Sequence, residues 1–143
     1  MSLKLGSESK VIHMSSISQD IDEIIWMHKN YQPSFEEKIN NKYSSLKEKI
    51  NAETDPSMII KALDRSFEEL FVLDIPFMFE AYQKAIQLDP LNTKLIEEFI
   101  FYVDVHSGPD WEEEVEKVRM LLNKGEIEKA GKVALTIDYY KWD

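Results

Sequence analysis

The chain has 143 residues, 43% hydrophobic and 31% charged, with four glycines, five prolines, no cysteine and a formal net charge of −10. That length suffices for one domain with a real core; the scarcity of turn residues argues against an all-β sandwich, and the absence of cysteine removes disulfides, thiolate zinc sites and cysteine nucleophiles. Residues 1–52 are neutral, with seven Lys and seven Asp or Glu, whereas residues 53–143 hold ten Lys or Arg and twenty Asp or Glu and carry the whole −10, a balance that repels nucleic-acid phosphates and anionic membranes and favours a basic partner.

The first stretch, MSLKLGSESKVIHM, lacks the apolar core of a signal peptide, and no run of about 18 apolar residues is present to cross a membrane. Residues 1–14 are read as a flexible tail or an added leader and 15–143 as a single helical domain, with the cytoplasm as the expected compartment. Ser16 and Gln19 have capping-box spacing. After them Ile17, Ile21, Ile24, Ile25 and His28 share a helical face, with Asp20, Asp22 and Glu23 off it. Pro33 stops this helix. Ser34 to Glu37 is a second capping box, followed by the stripe Phe35, Ile39, Tyr43, Leu46 and Ile50. Such a narrow apolar face needs a partner surface, inside the chain or on a second copy.

Asp55 and Pro56 are good first residues for the next helix, whose broad face is Ile59, Ile60, Leu63, Phe67, Leu70 and Phe71. After a break at Leu73 to Pro76, Phe77, Ala81, Tyr82, Ala85, Ile86 and Leu88 turn inward until Asp89-Pro90. Asn92 caps a helix with Leu95, Ile96, Phe99, Ile100 and Val103 inward, and Asp110 to Glu113 is a third capping box before the line Trp111, Val115, Val118 and Leu122. Gly125 follows a helix end, and Ile127, Ala130, Ala134 and Ile137 mark the last helix. Val133 to Tyr140 is the one stretch that also reads as a strand. The expected fold is all-α: about seven antiparallel helices of roughly 13–18 residues joined by short connections.

Two places resemble the tetratricopeptide repeat. Tyr82, Ala85, Leu88 and Pro90 match the large, small, Leu and Pro positions of its second helix, and Gly125 with Ala130 matches its turn glycine and a small residue five positions on. The two matches are offset by 52 residues rather than a multiple of 34, and Glu69 stands where an aromatic belongs, so the array is irregular. The resemblance covers about 50 residues. It implies a non-catalytic scaffold that holds a peptide or partner protein in a groove; a plain helical bundle is the alternative.

No Gly-rich phosphate loop or nucleophile elbow appears. His13, His28 and His106 form no metal-binding pair. Asp104, His106, Asp110, Glu113 and Glu114 cluster around a turn, but capping, dipole compensation or solvent exposure accounts for each, so neither metal nor cofactor is expected. Phe99, Phe101 and Tyr102 cannot all face inward, because positions 99 and 101 lie about 200° apart on a helix. The expected function is a non-enzymatic protein-interaction module binding a basic protein or peptide, with an inhibitor or immunity-type protein as one form. Glu97, Glu98, Tyr102, Trp111, Glu112 and Glu113 are the expected contact residues. The alternatives are a helical enzyme or ligand-binding domain with a pocket near Asp104 to Glu114, and a dimerisation module using the Phe35–Ile50 stripe as its seam.

Overall fold

Helix ends set by local chemistry define most of the architecture. A computed structural model describes residues 16–68 and 74–138, and among them seven α-helices occur: α1 Ile17–Lys29, α2 Glu36–Ala52, α3 Pro56–Glu68, α4 Ile75–Leu88, α5 Thr93–Ser107, α6 Glu112–Asn123 and α7 Ile127–Ala134. No strand is found among the described residues; Val133 and Ala134 end α7 instead. The segment 1–14, Leu70, Phe71 and the aromatics Tyr139, Tyr140 and Trp142 lie outside them.

Three expected caps form. The Ser16 hydroxyl accepts from the Gln19 N–H at 3.1 Å while the Gln19 side chain accepts from the Ser16 N–H at 2.8 Å, a complete capping box. Asp55 accepts from the Ser57 N–H at 3.0 Å, and Asn92 from the Leu95 N–H at 3.1 Å. At the end of α6, Gly125 takes φ +78°. Its N–H donates to the Leu122 carbonyl and the Glu126 N–H to the Leu121 carbonyl, the paired bonds of a Schellman ending.

The boxes expected at Ser34 and Asp110 do not form. Phe35 and Trp111 occupy the N-cap positions of α2 and α6 without a side-chain bond. Both helices are entered through 3-10 turns, Pro33–Phe35 and Gly108–Trp111. A proline pre-set to helical φ starts the winding early, and the would-be capping residue is drawn into it. The supposed break at Ile75-Pro76 is the first turn of α4, capped by Asp74, which accepts from the Phe77 N–H at 3.3 Å.

Each helix packs on the next one or the next but one. α1 meets α2 and α3, α3 meets α4, α2 meets α4, α4 meets α5, and α5 meets both α6 and α7. α6 pairs closely with α7, and α7 returns to α4. At that return the Gln83 side-chain amide donates to the carbonyls of Ala134, the last residue of α7, and Ile137, three residues beyond it; the Ala134 carbonyl also accepts from the Ile137 N–H at 3.3 Å. Gly131 brings α7 against the turn after α4: a Cβ there would lie 3.5 Å from the Pro90 carbonyl oxygen and 3.7 Å from Ile86 and Ile96 methyls.

The core runs through all seven helices, with Tyr82, Phe77, Phe79 and Phe99 its largest fully buried side chains. Phe79 and Tyr82 of α4 each lie 5.6–5.9 Å, centroid to centroid, from both Phe99 and Tyr102 of α5. Such offset and edge-on pairs add about 0.5–1.5 kcal/mol each to simple burial. Of the α2 stripe, Ile39, Leu46 and Ile50 are buried, and Tyr43 packs edge-on against Phe77 at 5.5 Å. These residues are taken up inside the chain, while Phe35 at the head of the stripe stays partly exposed.

One acidic residue departs from its expected solvent position. Asp20 is 0% exposed, at the α1–α2 seam, with Lys49 Nζ at 2.6 Å and Lys42 Nζ at 3.5 Å. Lys42 also reaches Glu23 at 2.6 Å. Because α1 carries α2 on one side and α3 on another, its buried arc extends beyond the isoleucine stripe and takes in position 20.

Tyr43 joins α2 to α4 a second way: its hydroxyl accepts from the Asp74 N–H at 2.9 Å. Burial raises its phenol pKa to about 12, with the Asp74 N–H pulling the other way. A phenol whose folded pKa lies above its unfolded value contributes stability below the unfolded pKa, about 10, that is lost as pH climbs through the folded one. Tyr43→Phe is expected to cost about 1 kcal/mol at neutral pH. It should also flatten the fall in stability between pH 10 and about 12. Urea denaturation across that window reads both, and a Tyr43→Phe profile parallel to the parent's would remove Tyr43 as the source.

Candidate interaction surface on α5

Core contacts use up most of the circumference of α5. Leu95, Ile96, Phe99, Ile100, Tyr102 and Val103 are all buried. The exposed arc is Lys94, Glu97, Phe101, Asp104 and Val105, positions three or four apart that make a continuous line up the helix. Phe101 is 56% and Val105 53% exposed. Of the three clustered aromatics, then, Phe101 is the one that faces solvent, and it has Val105 one turn on.

Carboxylates predominate around this line, with Lys94 at its start and Arg119 beside Asp104 as the nearby cations. Between Leu95 and Glu116 there are eight Asp or Glu and no Lys or Arg. Asp104 receives Arg119 of α6 at 3.5 Å, and Arg119 also reaches Glu116 at 3.0 Å. Glu98, half-buried, has its carboxyl pushed up, first by burial and then by Asp64 of α3, against a smaller opposing pull from Lys94. The His106 ring rests on Tyr102 at 4.2 Å, and burial lowers its pKa.

The six expected contact residues divide in two. Glu97, Glu112 and Glu113 are exposed and Glu98 is partly so. Tyr102 and Trp111 are each only 4% exposed and belong to the core. Tyr102 stands three residues from Phe99, which puts it on the same helical face, and Trp111 heads the buried line of Val115 and Val118. Nor do the acidic residues form one patch. Glu97 sits ten residues, about 15 Å of axis, from the end of α5, beyond which Glu112 and Glu113 begin α6. Phe101 and Val105 lie between the two acidic groups. The signal for Phe101 was its angular offset from Phe99; Val105 carried no signal beyond its i, i+4 spacing from Phe101.

Other surface features lie elsewhere. Exposed Trp26 and partly buried Phe35 form an aromatic pair at 5.7 Å near the α1–α2 turn, with Lys38 Nζ 5.8 Å from the Phe35 ring. Grooves of about 560 Å³ and 460 Å³ are bordered by Ile17, Lys49 and Met58, and by Leu91, Ile127 and Lys132. Neither borders the Asp104–Glu114 segment. Among the described residues no group of three His, Asp or Glu side chains could hold a metal ion, and no helix is long and apolar enough to cross a membrane. No protein-family model, curated protein or solved structure matches the chain.

Proposed function

We propose that the chain is a non-enzymatic interaction module, an irregular stack of helical hairpins whose acidic surface binds a basic protein or peptide. The observation that carries this reading is the run from Leu95 to Glu116, which presents eight carboxylates and no Lys or Arg around two exposed apolar side chains. Stacking in the manner of tetratricopeptide hairpins is supported by contacts of α1 with α3, α2 with α4 and α5 with α7, each a helix with its next but one. The return of α7 to α4 is a departure from an open stack. Neutralising a basic enzyme is one use of such a surface, because a matched field speeds encounter and sets specificity.

The test is affinity capture from the source cell at low and at high salt, with the partner identified and then titrated against the purified chain. Binding should weaken steeply as salt screens the surface. The Glu97→Gln/Glu112→Gln/Glu113→Gln variant should lose it while staying folded, its thermal midpoint lowered only by the loss of two first-turn carboxylates from α6. A partner held equally well at both salt concentrations, or equally well by this variant, would refute the reading.

A further inference from the structure

We infer that the Phe101–Val105 line of α5 is the apolar seat for one basic amphipathic helix of a partner protein. The inference rests on the acidic-surface reading above and adds the shape and chemistry of what docks there. Phenylalanine and valine are both poorer helix formers than the Glu, Lys, Gln or Arg that a solvated helical face would ordinarily carry. Neither is drawn on by the core, which already has six side chains from this helix. Four residues apart, the two are vertical neighbours and form a single ridge, and a second helix crossing α5 seats its own i, i+4 ridge beside such a feature.

Charge then selects the occupant. Glu97 lies one turn before Phe101, and Asp104 adjoins Val105. Asp110, Glu112 and Glu113 lie exposed beyond the end of the helix. Arg119 is shared between Asp104 and Glu116, and Lys94 approaches Glu98 at 4.0 Å, which leaves Glu97, Asp110, Glu112 and Glu113 as the acidic excess around the ridge. A second copy docked through the same line would bring one carboxylate-rich surface against another, an opposition that like charges penalise. The fitting partner is a helix with Leu, Ile or Met along one face and Lys or Arg flanking it.

The experiment uses the full chain and two labelled synthetic peptides of identical Leu and Lys composition. One is ordered to put leucines on a single helical face; the other is shuffled to destroy that face. Fluorescence anisotropy at low salt should show the amphipathic peptide binding at least about tenfold tighter than the shuffled one, as expected when an apolar anchor is engaged. The F101S/V105S variant should lose that advantage and bind both peptides like the shuffled one, with its helical circular dichroism and melting midpoint checked first. Equal affinity for both peptides, or an amphipathic peptide indifferent to F101S/V105S, overturns the seat while leaving the acidic surface intact. Failure of both basic peptides to bind overturns the seat and the acidic-surface reading together. Self-association of the chain that disappears in F101S/V105S assigns the ridge to a second copy and also overturns the inference.

Discussion

Replacing Lys49 by methionine is expected to destabilise the fold by about 3 kcal/mol, more than replacing the aspartate it pairs with. The asymmetry follows from exposure. Asp20 is fully buried, whereas the Lys49 and Lys42 side chains keep 18% and 26% of their surface in water. A lysine that loses its carboxylate can swing its ammonium outward along a flexible stem. A buried carboxylate that loses its nearer lysine cannot follow, and the pull of Lys42 at 3.5 Å offsets only part of the loss. Asp20→Asn should therefore cost about 1 kcal/mol, in the range of a single hydrogen bond. Asp20→Leu combined with Lys49→Met should recover most of what Lys49→Met loses, since an apolar pair of similar volume often replaces a buried ion pair at little cost. Urea midpoints at constant slope measure all three. If Lys49→Met proves milder than Asp20→Asn, Asp20 has an escape to solvent that its burial denies.

Phe99→Ala is expected to cost about 3–5 kcal/mol, while Phe101→Ala, two positions along the same helix, changes stability by less than about 0.5 kcal/mol. Phe99 is wholly buried and touches both Phe79 and Tyr82, so truncation leaves a cavity where α4 meets α5. Phe101 has more than half its surface in water already. Parallel thermal and urea melts of the two variants decide it. Comparable losses at both positions would mean that Phe101 supports the fold, and would remove the reason to regard it as a ridge for a partner.

What the sequence disclosed was mainly what is local. Ser16, Asp55, Asn92 and Gly125 act within three residues of themselves, and each ends or starts a helix where its chemistry says it should. Ser34 and Asp110 misled because a neighbouring proline and a 3-10 turn compete for the same residues. Asp20 was illegible for a different reason. Its nearer counter-ion, Lys49, lies 29 residues away on another helix, and helical periodicity carries no information about such a partner. At the surface, periodicity required one of Phe99, Phe101 and Tyr102 to face away from the others without saying which. The packing of α4 against α5 made the choice, keeping 99 and 102 together in the ring cluster and leaving 101 out.

Because helices here pair with their immediate successors or the one after, most of the chain can find its neighbours by searching short spans. The clasp of Gln83 on Ala134 and Ile137 is the long one, joining groups 51 and 54 residues apart. Closing a loop of that length costs about 1 kcal/mol more in chain entropy than closing one of roughly 15 residues, the span of a single hairpin. The side-chain amide that covers the end of α7 thus also bears the largest ordering cost among these contacts. Local pairing can come first, and the α4–α7 contact is where the sequence-distant parts of the second half are brought to one another.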